Sequence, residues 1–225
     1  MGGPENLAVA IAEPTIEASG IIFKHPDISL LVATGGPGVV TQVLSSGKRG
    51  IGAGAGNPPV LVDETADIVK AAEDIVNGCT FDNNLPCIAE KEVVVVEQVA
   101  DELIYYMEQN GCYHASDEEV AKLLETVFTT NKKGQRTLNR QCVGRSAKVL
   151  LEKIGTVVGD DVRCIIFEGD KDHLLISEEL MMPILGIVRV RNVDEGIKVA
   201  VELEHGNRPV SYTHLRLASC VIFMR

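Results

Sequence analysis

Apolar and polar positions along this chain follow two alternating periods, and the pattern predicts strands interleaved with helices. Continuous apolar runs predict buried strands at residues 60–62 and 93–96. After Asp67, apolar residues recur with helical spacing and share one face, namely Ile68, Ala71, Ala72, Ile75 and Val76. Further strands are expected at residues 7–12, 28–33, 164–168 and 184–190, and further helices at about 15–24, 38–46, 99–110, 116–129, 146–154 and 193–204.

The order of these elements predicts an α/β protein with largely parallel sheets, because strands and helices alternate throughout. The stretch 50–59, rich in glycine and proline, interrupts the pattern and divides the chain into two lobes. The first lobe, residues 1–56, holds a strand-helix-strand unit and one more helix, about half of a doubly wound sheet. The second lobe is expected to span residues 57–208.

Composition excludes several classes of function. The 225 residues are 45% hydrophobic and carry a net charge of -11, and the basic stretch at residues 132–145 is short and typical of a solvated loop. A nucleic-acid-binding face needs clustered Lys and Arg, so we expect no nucleic-acid partner. The sequence has neither an apolar run of the roughly 18 residues that a membrane helix needs nor a secretory signal pattern. We therefore expect a cytoplasmic protein that does not bind a membrane.

Six cysteines lie at positions 79, 87, 112, 142, 164 and 220, with no spacing that suits zinc. We therefore expect no metal, and reduced thiols that are mostly small buried hydrophobic residues. Cys87 differs, because the run FDNNLPCIAEKEVVVV places it after the turn formers Asp82 to Pro86 and before a buried strand. A thiol in a loop held by rigid elements is a candidate nucleophile, although inert buried cysteines are more common.

Three other segments are ambiguous when each is taken alone. The glycine turn from Thr34 to Gly38 joins a strand to a helix, and such a turn either binds a phosphate or only reverses the chain. The glycines of residues 50–56 let the backbone approach a strand or a ligand, and close packing is the default. In the segment from Glu178 to Pro183, Met181 and Met182 are typical of core residues, and the adjacent acids Glu178 and Glu179 are typical of a solvated edge.

Taken together, these segments match one family in order and spacing. The motifs are TGGPG at residues 34–38, GAGAGNPP at 52–59 continuing to VDETAD at 62–67, the Cys87 run from Phe81 to Glu92, and ELMMP at 179–183. On these motifs, residues 5–208 resemble the CoA-acylating aldehyde dehydrogenases, and within them the acetaldehyde and propionaldehyde dehydrogenases of ethanolamine and propanediol utilisation. The resemblance implies an aldehyde dehydrogenase-like α/β fold. In that fold, residues 1–56 are the C-terminal part of an incomplete Rossmann-type NAD-binding lobe, and residues 57–208 form an α/β catalytic lobe.

The resemblance also implies a reaction and its participants. Cys87 occupies the position of the nucleophile that attacks the aldehyde, a hydride then passes to NAD, and coenzyme A takes the acyl group from the resulting thioester. Thr34, Gly35 and Gly36 occupy the position of the phosphate-binding turn, and Glu179 matches the acid that holds the nicotinamide ribose. The family further implies short aldehyde substrates, a homo-oligomer at full length, and a cytoplasmic enzyme that is often enclosed by the shell of a bacterial microcompartment.

One aligned position predicts how the thioester is released. Aligning the family segment ELGGKSP on Asn57 and Pro58 places Gly52 where the glutamate of hydrolytic members activates water. Glycine cannot accept a proton, so the predicted product is acyl-CoA and not the free acid. Two features could lower the pKa of the Cys87 thiol. We rank first the N-terminus of a helix at Ile88, because its backbone N–H groups would also stabilise the oxyanion. We rank second Lys91, although a lysine at such a position is more often simply exposed.

Both ends of the chain depart from the family pattern. The first strands of the cofactor domain and the asparagine of the oxyanion hole have no counterpart here, so we expect a partial chain that aggregates or is inactive when isolated. Residues 209–225 contain no acidic residue and match nothing in the family, and we expect a non-native tail. Two alternatives stay open, namely the aldehyde dehydrogenase half of a bifunctional alcohol/aldehyde dehydrogenase and a remnant without catalytic activity.

Overall fold

The computed structural model describes residues 2–54, 56–131, 134, 136–204 and 222–223, and the chain divides into two compact units after Gly54. Unit 1, residues 1–54, has two strands that pair in parallel, with Leu30 opposite Arg49. The Thr15 hydroxyl accepts a hydrogen bond from the Ala18 N–H and so caps the first helix. The elements are α1 (Ile16–Lys24), β1 (Leu30–Thr34), α2 (Pro37–Leu44) and β2 (Arg49–Ala53).

Close packing between α2 and β2 explains two of the glycines in this unit. A Cβ at Gly50 would lie 2.9 Å from Val43 Cγ1, and one at Gly52 would lie 2.7 Å from Val40 Cγ1. The default reading of these glycines is therefore confirmed, and they also hide β2 from sequence patterns, since glycine carries no strand signal. The strand expected at residues 7–12 is wrong: these residues are exposed and pair with no strand of the described chain, and a strand needs a neighbour to satisfy its backbone.

Unit 2, the remainder of the chain, contains a parallel sheet flanked by helices. Its helices are α3 (Ile68–Thr80), α4 (Glu97–Gln109), α5 (Asp117–Val127), α6 (Ala147–Lys153), α7 (Leu174–Ser177) and α8 (Val193–Leu203). Its strands are β3 (Pro59–Val62), β4 (Glu92–Val96), β5 (Cys112–His114), β6 (Phe128–Thr130), β7 (Arg136–Leu138), β8 (Cys164–Glu168), β9 (Ile184–Val190) and β10 (Ile222–Phe223).

Six strands of unit 2 form one sheet in the order β10-β3-β4-β9-β8-β5, and every pair in it is parallel. Strands β6 and β7 form a separate antiparallel hairpin. The predicted α/β class with a largely parallel sheet is confirmed. Within the described part of the chain, no helix combines the length and apolarity that crossing a bilayer requires.

The sheet separates two hydrophobic cores, because successive residues of a strand point to opposite faces. Val60 and Val62 of β3 join one core, in which α3 and α4 pack, and Leu61 joins the other, which includes residues of α5 to α8. Both faces of the sheet are therefore covered, as in other parallel sheets. The predicted apolar face of α3 is confirmed, since all five of its named residues are buried.

Long apolar runs allow good predictions of element bounds, and short polar elements do not. Strands β8 and β9 have the predicted bounds, and the capping box at Ser116 is present at the start of α5. The helix expected to reach residue 129 ends at Val127, where β6 begins, and the three-residue strand β5 has no sequence signal. The tail predicted at residues 209–225 lies, apart from Ile222–Phe223, outside the described residues.

Candidate functional site

The loop that carries Cys87 begins with a left-handed turn. After α3, the backbone of the 3₁₀ turn Phe81–Asn84 has positive φ angles of 48° at Asp82, 50° at Asn83 and 63° at Asn84. Asn and Asp tolerate this region better than other residues with a Cβ, which explains the Asp-Asn-Asn sequence. Asn83 Nδ2 also donates to the Gly144 carbonyl at 3.1 Å and ties the turn to the loop before α6.

Asn84 anchors both ends of this loop. Its side chain is buried, and its Nδ2 donates to the Cys79 carbonyl at 2.9 Å and to the Glu90 carbonyl at 2.8 Å. Cys79 lies in the last turn of α3, and Glu90 lies just before β4. One amide group therefore joins the end of a helix to the start of a strand, and the segment between them is closed into a compact loop.

Cys87 sits at the outer side of the closed loop. The Ala89 N–H donates to the Pro86 carbonyl at 3.1 Å, so Cys87 is a central residue of a single turn. It is half-buried, while the other four cysteines of the described chain, at 79, 112, 142 and 164, are buried. The expected helix at Ile88 is wrong, because the Asn84 anchor returns the chain to β4 within a few residues and leaves no length for one.

Lys91 is buried, contrary to the expectation of an exposed residue, with a relative exposure of 5%. Its Nζ donates to the Asn84 carbonyl at 2.9 Å, to Asn84 Oδ1 at 2.5 Å and to the Pro86 carbonyl at 3.1 Å. Burial lowers the pKa of Lys91, and the negative charges of Glu179 and of the thiolate forms of Cys79 and Cys87 oppose that shift. Sequence spacing suggested this residue only through a helix that does not exist.

Glu179 is the carboxylate that acts most strongly on Lys91. It is half-buried, and burial raises its pKa, while Lys91 and a hydrogen bond from the Gly56 backbone oppose the rise. Its neighbour Glu178 is exposed, as expected for both acids. Met182 is a core residue as predicted, but Met181 is only half-buried and has a φ of 55°.

A buried polar pair without a clear sequence signal lies next to this site. Asn57 Nδ2 donates to Glu92 Oε1 at 3.1 Å and to the carbonyls of Ile176 and Leu203 at 3.1 Å and 3.3 Å. Burial first, and then the charge of Glu204, raise the pKa of Glu92 well above its usual value. Burial thus favours the protonated form of Glu92, and its hydrogen bond from Asn57 ties the start of β4, next to Lys91, to the core.

The predicted phosphate turn lies in unit 1. Thr34 ends β1, the Gly35 N–H donates to the Ala53 carbonyl at 3.0 Å, and Gly36 is the N-cap of α2 with Pro37 as its first residue. A Cβ at Gly36 or Gly38 would meet no atom within 4 Å. The N-terminus of α2 is therefore unobstructed by its own unit, and such a terminus attracts anions.

The structure thus brings Cys87, Lys91 and Glu179 together in unit 2, and it places Thr34, Gly35 and Gly36 at one strand-helix turn of unit 1. In the described residues, no group of three or more His, Cys, Asp or Glu side chains is arranged to hold a metal ion. Chemically, unit 2 offers a reachable thiol beside a buried cation, and unit 1 offers an open helix N-terminus.

Comparison with known proteins gives concordant matches. Residues 1–215 match the model described as "Aldehyde dehydrogenase family". The chain is 45% identical over 218 residues to the acetaldehyde dehydrogenase (acetylating) EutE of Salmonella typhimurium, covering 96% of this chain and 46% of that protein. It is 36% identical over 205 residues to the bifunctional aldehyde-alcohol dehydrogenase AdhE of Escherichia coli, covering 90% of this chain and 22% of that protein. The chain therefore spans less than half the length of these relatives.

Solved structures agree with these sequence matches. A propionaldehyde dehydrogenase from the Clostridium phytofermentans fucose utilisation bacterial microcompartment superimposes with a TM-score of 0.85 and 62% identity, over 91% of this chain and 46% of that one. A Rhodopseudomonas palustris propionaldehyde dehydrogenase with bound CoA and an acylated cysteine superimposes with a TM-score of 0.81 and 52% identity, over 87% of this chain and 44% of that one. The aldehyde dehydrogenase-like fold is confirmed.

Proposed function

Because this chain belongs to the aldehyde dehydrogenase family, we propose that it is part of an enzyme that oxidises a short aldehyde to acyl-CoA, with Cys87 as the nucleophile. One observation carries the proposal: Cys87 alone among the described cysteines is not buried, and it lies on a loop closed by Asn84 and Lys91. A reachable, positioned thiol is what covalent catalysis on a carbonyl needs.

The reaction begins at the sulfur of Cys87. Its thiolate attacks the carbonyl carbon of the aldehyde, a C–S bond forms, and the carbonyl oxygen takes the negative charge. The N–H of Cys87 makes no hydrogen bond to other residues of the described chain, which supports its role as a donor to this oxyanion. When the oxyanion collapses, the C–H bond breaks, and the acyl group is left on Cys87 as a thioester.

NAD, when bound, supplies the acceptor for the hydride that leaves with that C–H bond. In our proposal, Thr34, Gly35 and Gly36 receive its phosphates, and Glu179 holds the nicotinamide ribose. The open N-terminus of α2 fits an anion, and the Glu179 carboxyl has oxygen atoms that accept from hydroxyl groups. Residues 1–56 then belong to the cofactor-binding domain and residues 57–208 to the catalytic domain, while the match to the family model runs on to residue 215, into the segment expected to be a non-native tail.

Release of the acyl group completes the reaction. The thiolate of coenzyme A attacks the thioester, the C–S bond to Cys87 breaks, and the products are acyl-CoA, NADH and a proton. Gly52 supports this route over hydrolysis, since it supplies no base and its Cβ position is filled by Val40. Of the carboxyl groups near the loop, Glu92 bonds to Asn57, and Glu179 in our proposal bonds to the nicotinamide ribose.

The substrate is in our proposal acetaldehyde or propionaldehyde, on the strength of the relatives named above. The microcompartment origin of one of these relatives supports a place in the cytoplasm or within a bacterial microcompartment, with its shell as a partner. A homo-oligomer at full length is part of the proposal on the family resemblance alone. The bifunctional alternative has weaker support, because the match to AdhE is 36% against 45% for EutE. A remnant without activity is the second alternative, and it would show no selective reactivity at Cys87.

The test is made on the protein at its natural length, with the numbering of this chain. NADH formation from acetaldehyde and from propionaldehyde is followed with and without coenzyme A, and the products are separated by chromatography. We expect sustained NADH formation only with coenzyme A, and one acyl-CoA per NADH. Full-rate NADH formation without coenzyme A, with free acid as the product, would contradict the proposal.

A further inference from the structure

Lys91 has three hydrogen-bond acceptors at its buried Nζ, and all of them precede Cys87 in the chain. An ammonium group in a protein interior is costly unless its hydrogens are bonded. The Lys91 ammonium has three hydrogens, and its three acceptors are the carbonyl and Oδ1 of Asn84 and the carbonyl of Pro86. Its hydrogen-bonding capacity is therefore filled, and only the protonated amine can fill all three places at once.

Two of these acceptors are backbone carbonyls of the segment that leads into the thiol, and the third is the side chain of Asn84. Asn84 ends the 3₁₀ turn and residues 85–86 belong to no helix or strand, so this segment has no regular element to hold it. The Leu85 N–H closes the preceding turn on Asp82, and the Ala89 N–H closes the next turn on Pro86. The Lys91 side chain links the two turns, because its Nζ donates to the carbonyls of Asn84 and Pro86. The backbone N–H of Lys91 donates to the Pro58 carbonyl, next to β3, at 3.1 Å. The segment before Cys87 is thereby tied to the sheet.

We propose, on the basis of the function proposed above, that Lys91 in its protonated form is the positioning residue for Cys87. It does not touch the reacting atoms. It fixes the carbonyls of Asn84 and Pro86, and through them the place from which the Cys87 sulfur attacks the aldehyde. Loss of its proton removes one of the three hydrogen bonds and loosens this segment.

Protonation of Lys91 is set by groups on several elements. Burial favours the neutral amine, and Glu179 from the segment before β9, Cys79 from α3, Cys87 from its own loop and Glu92 from β4 favour the cation. Burial has the larger effect, so the pKa of Lys91 lies below the usual 10.5. We therefore expect acylation to weaken at alkaline pH, although a thiolate nucleophile alone gives a rate that rises with pH and then stays constant.

The experiment compares Lys91→Met and Lys91→Arg in the protein at its natural length. Methionine keeps the length but has no donors, and arginine keeps donors and charge without titrating in this range. Lys70→Met is the matched control, because Lys70 lies on exposed helix surface in an ion pair with Asp74. The acylation half-reaction is measured as the NADH burst without coenzyme A, from about neutral pH to pH 10.5, where an amine whose pKa lies below 10.5 is mostly neutral. Circular dichroism is recorded at each pH.

For Lys91→Met, we expect acylation to fall about 100-fold with the aldehyde KM unchanged within about threefold, as for a misplaced nucleophile. For Lys91→Arg, we expect recovery to within about tenfold of the wild type and loss of the alkaline decline. Lys70→Met should behave as the wild type. Near-normal acylation in Lys91→Met, or an alkaline decline unchanged in Lys91→Arg, would overturn the inference.

If neither Lys91 variant folds, the wild-type pH profile decides. A decline at alkaline pH with an unchanged circular dichroism spectrum supports the inference, and a constant rate up to pH 10.5 overturns it, since the pKa of Lys91 lies below that value. Failure of the proposed function has a different signature, since the wild type would then carry no acyl group on Cys87 at any pH.

Discussion

The Cys87 loop and the turn from Thr34 to Gly38 both join regular elements, but they are held in opposite ways. The loop is fixed by the buried polar side chains of Asn84 and Lys91. Asn84 bonds to Cys79 in α3 and to Glu90 just before β4, and Lys91 bonds to Asn84. The turn is formed by backbone alone, with glycines that leave the N-terminus of α2 open. A nucleophile needs one fixed position, whereas a phosphate needs space and N–H groups. The difference between the two regions therefore supports the roles that we propose for them.

The sharpest way to separate the two regions is to remove the sulfur. Cys87→Ser replaces the thiol by a much weaker nucleophile of similar size, so we expect aldehyde-dependent NADH formation to fall more than about 1,000-fold, with unchanged thermal stability. The exchange of a buried cysteine, Cys142→Ser, serves as the control and should retain the reaction. Comparable turnover by Cys87→Ser would show that another residue carries the acyl group.

The loop should be sensitive to its polar anchor. Asn84→Ala leaves the Cys79 and Glu90 carbonyls and the Lys91 ammonium each with one partner fewer, and we expect a loss of about 2–4 kcal/mol in the free energy of unfolding. Its neighbour Asn83, half-buried with one side-chain hydrogen bond, provides the matched control, and Asn83→Ala should cost about 1 kcal/mol. Equal effects of the two substitutions in denaturant titrations would contradict the anchoring role.

The buried acid behind the loop predicts a dependence of stability on pH. The folded pKa of Glu92 lies well above its unfolded value, so the stability it contributes is complete below about pH 4.5 and is lost as the pH rises towards the folded pKa. Glu92→Gln mimics the protonated acid. We expect it to match the wild type near pH 4 and to gain stability over it at up to about 1.4 kcal/mol per pH unit above that. A difference that does not change with pH would be incompatible with a raised pKa of Glu92.

A small side chain in the turn from Thr34 to Gly38 should have little effect on the stability of the protein but should weaken the binding of NAD. A Cβ at Gly36 meets no neighbouring atom, so Gly36→Ala should change the free energy of unfolding by about 1 kcal/mol or less. If the turn receives the phosphates of NAD, the added methyl should raise the KM for NAD about tenfold, without changing the KM for the aldehyde. An unchanged KM for NAD would place the cofactor elsewhere.

The sequence predicts those features that depend on local pattern. The apolar runs of β8 and β9 determine their bounds, the spacing after Asp67 determines the buried face of α3, and turn formers around Cys87 mark its loop. The glycines of β2 leave it without the apolar pattern by which a strand is predicted. The apolar run at residues 7–12 predicts a strand, but these residues pair with no strand of the described chain.

The environment of the thiol depends on contacts between distant residues, and the sequence does not reveal them. Lys91 is four positions from Cys87, a spacing that brings side chains together only in a helix. The left-handed turn at Asp82 and Asn83 instead folds the loop back over the Lys91 amine. Glu179 acts on the same amine although α6 and β8 lie between the two residues in the sequence. Asn57 and Glu92 meet for the same reason, across the pairing of β3 with β4.

The central claim is that Cys87 carries the acyl group until coenzyme A removes it. The most direct measurement is to mix the protein at its natural length with propionaldehyde and NAD without coenzyme A, quench with acid, digest, and locate the added mass by mass spectrometry. We expect a propionyl group on the peptide that contains Cys87, and its disappearance when coenzyme A is added before the quench. A propionyl group on another residue, or none on Cys87 while NADH is formed, would contradict it.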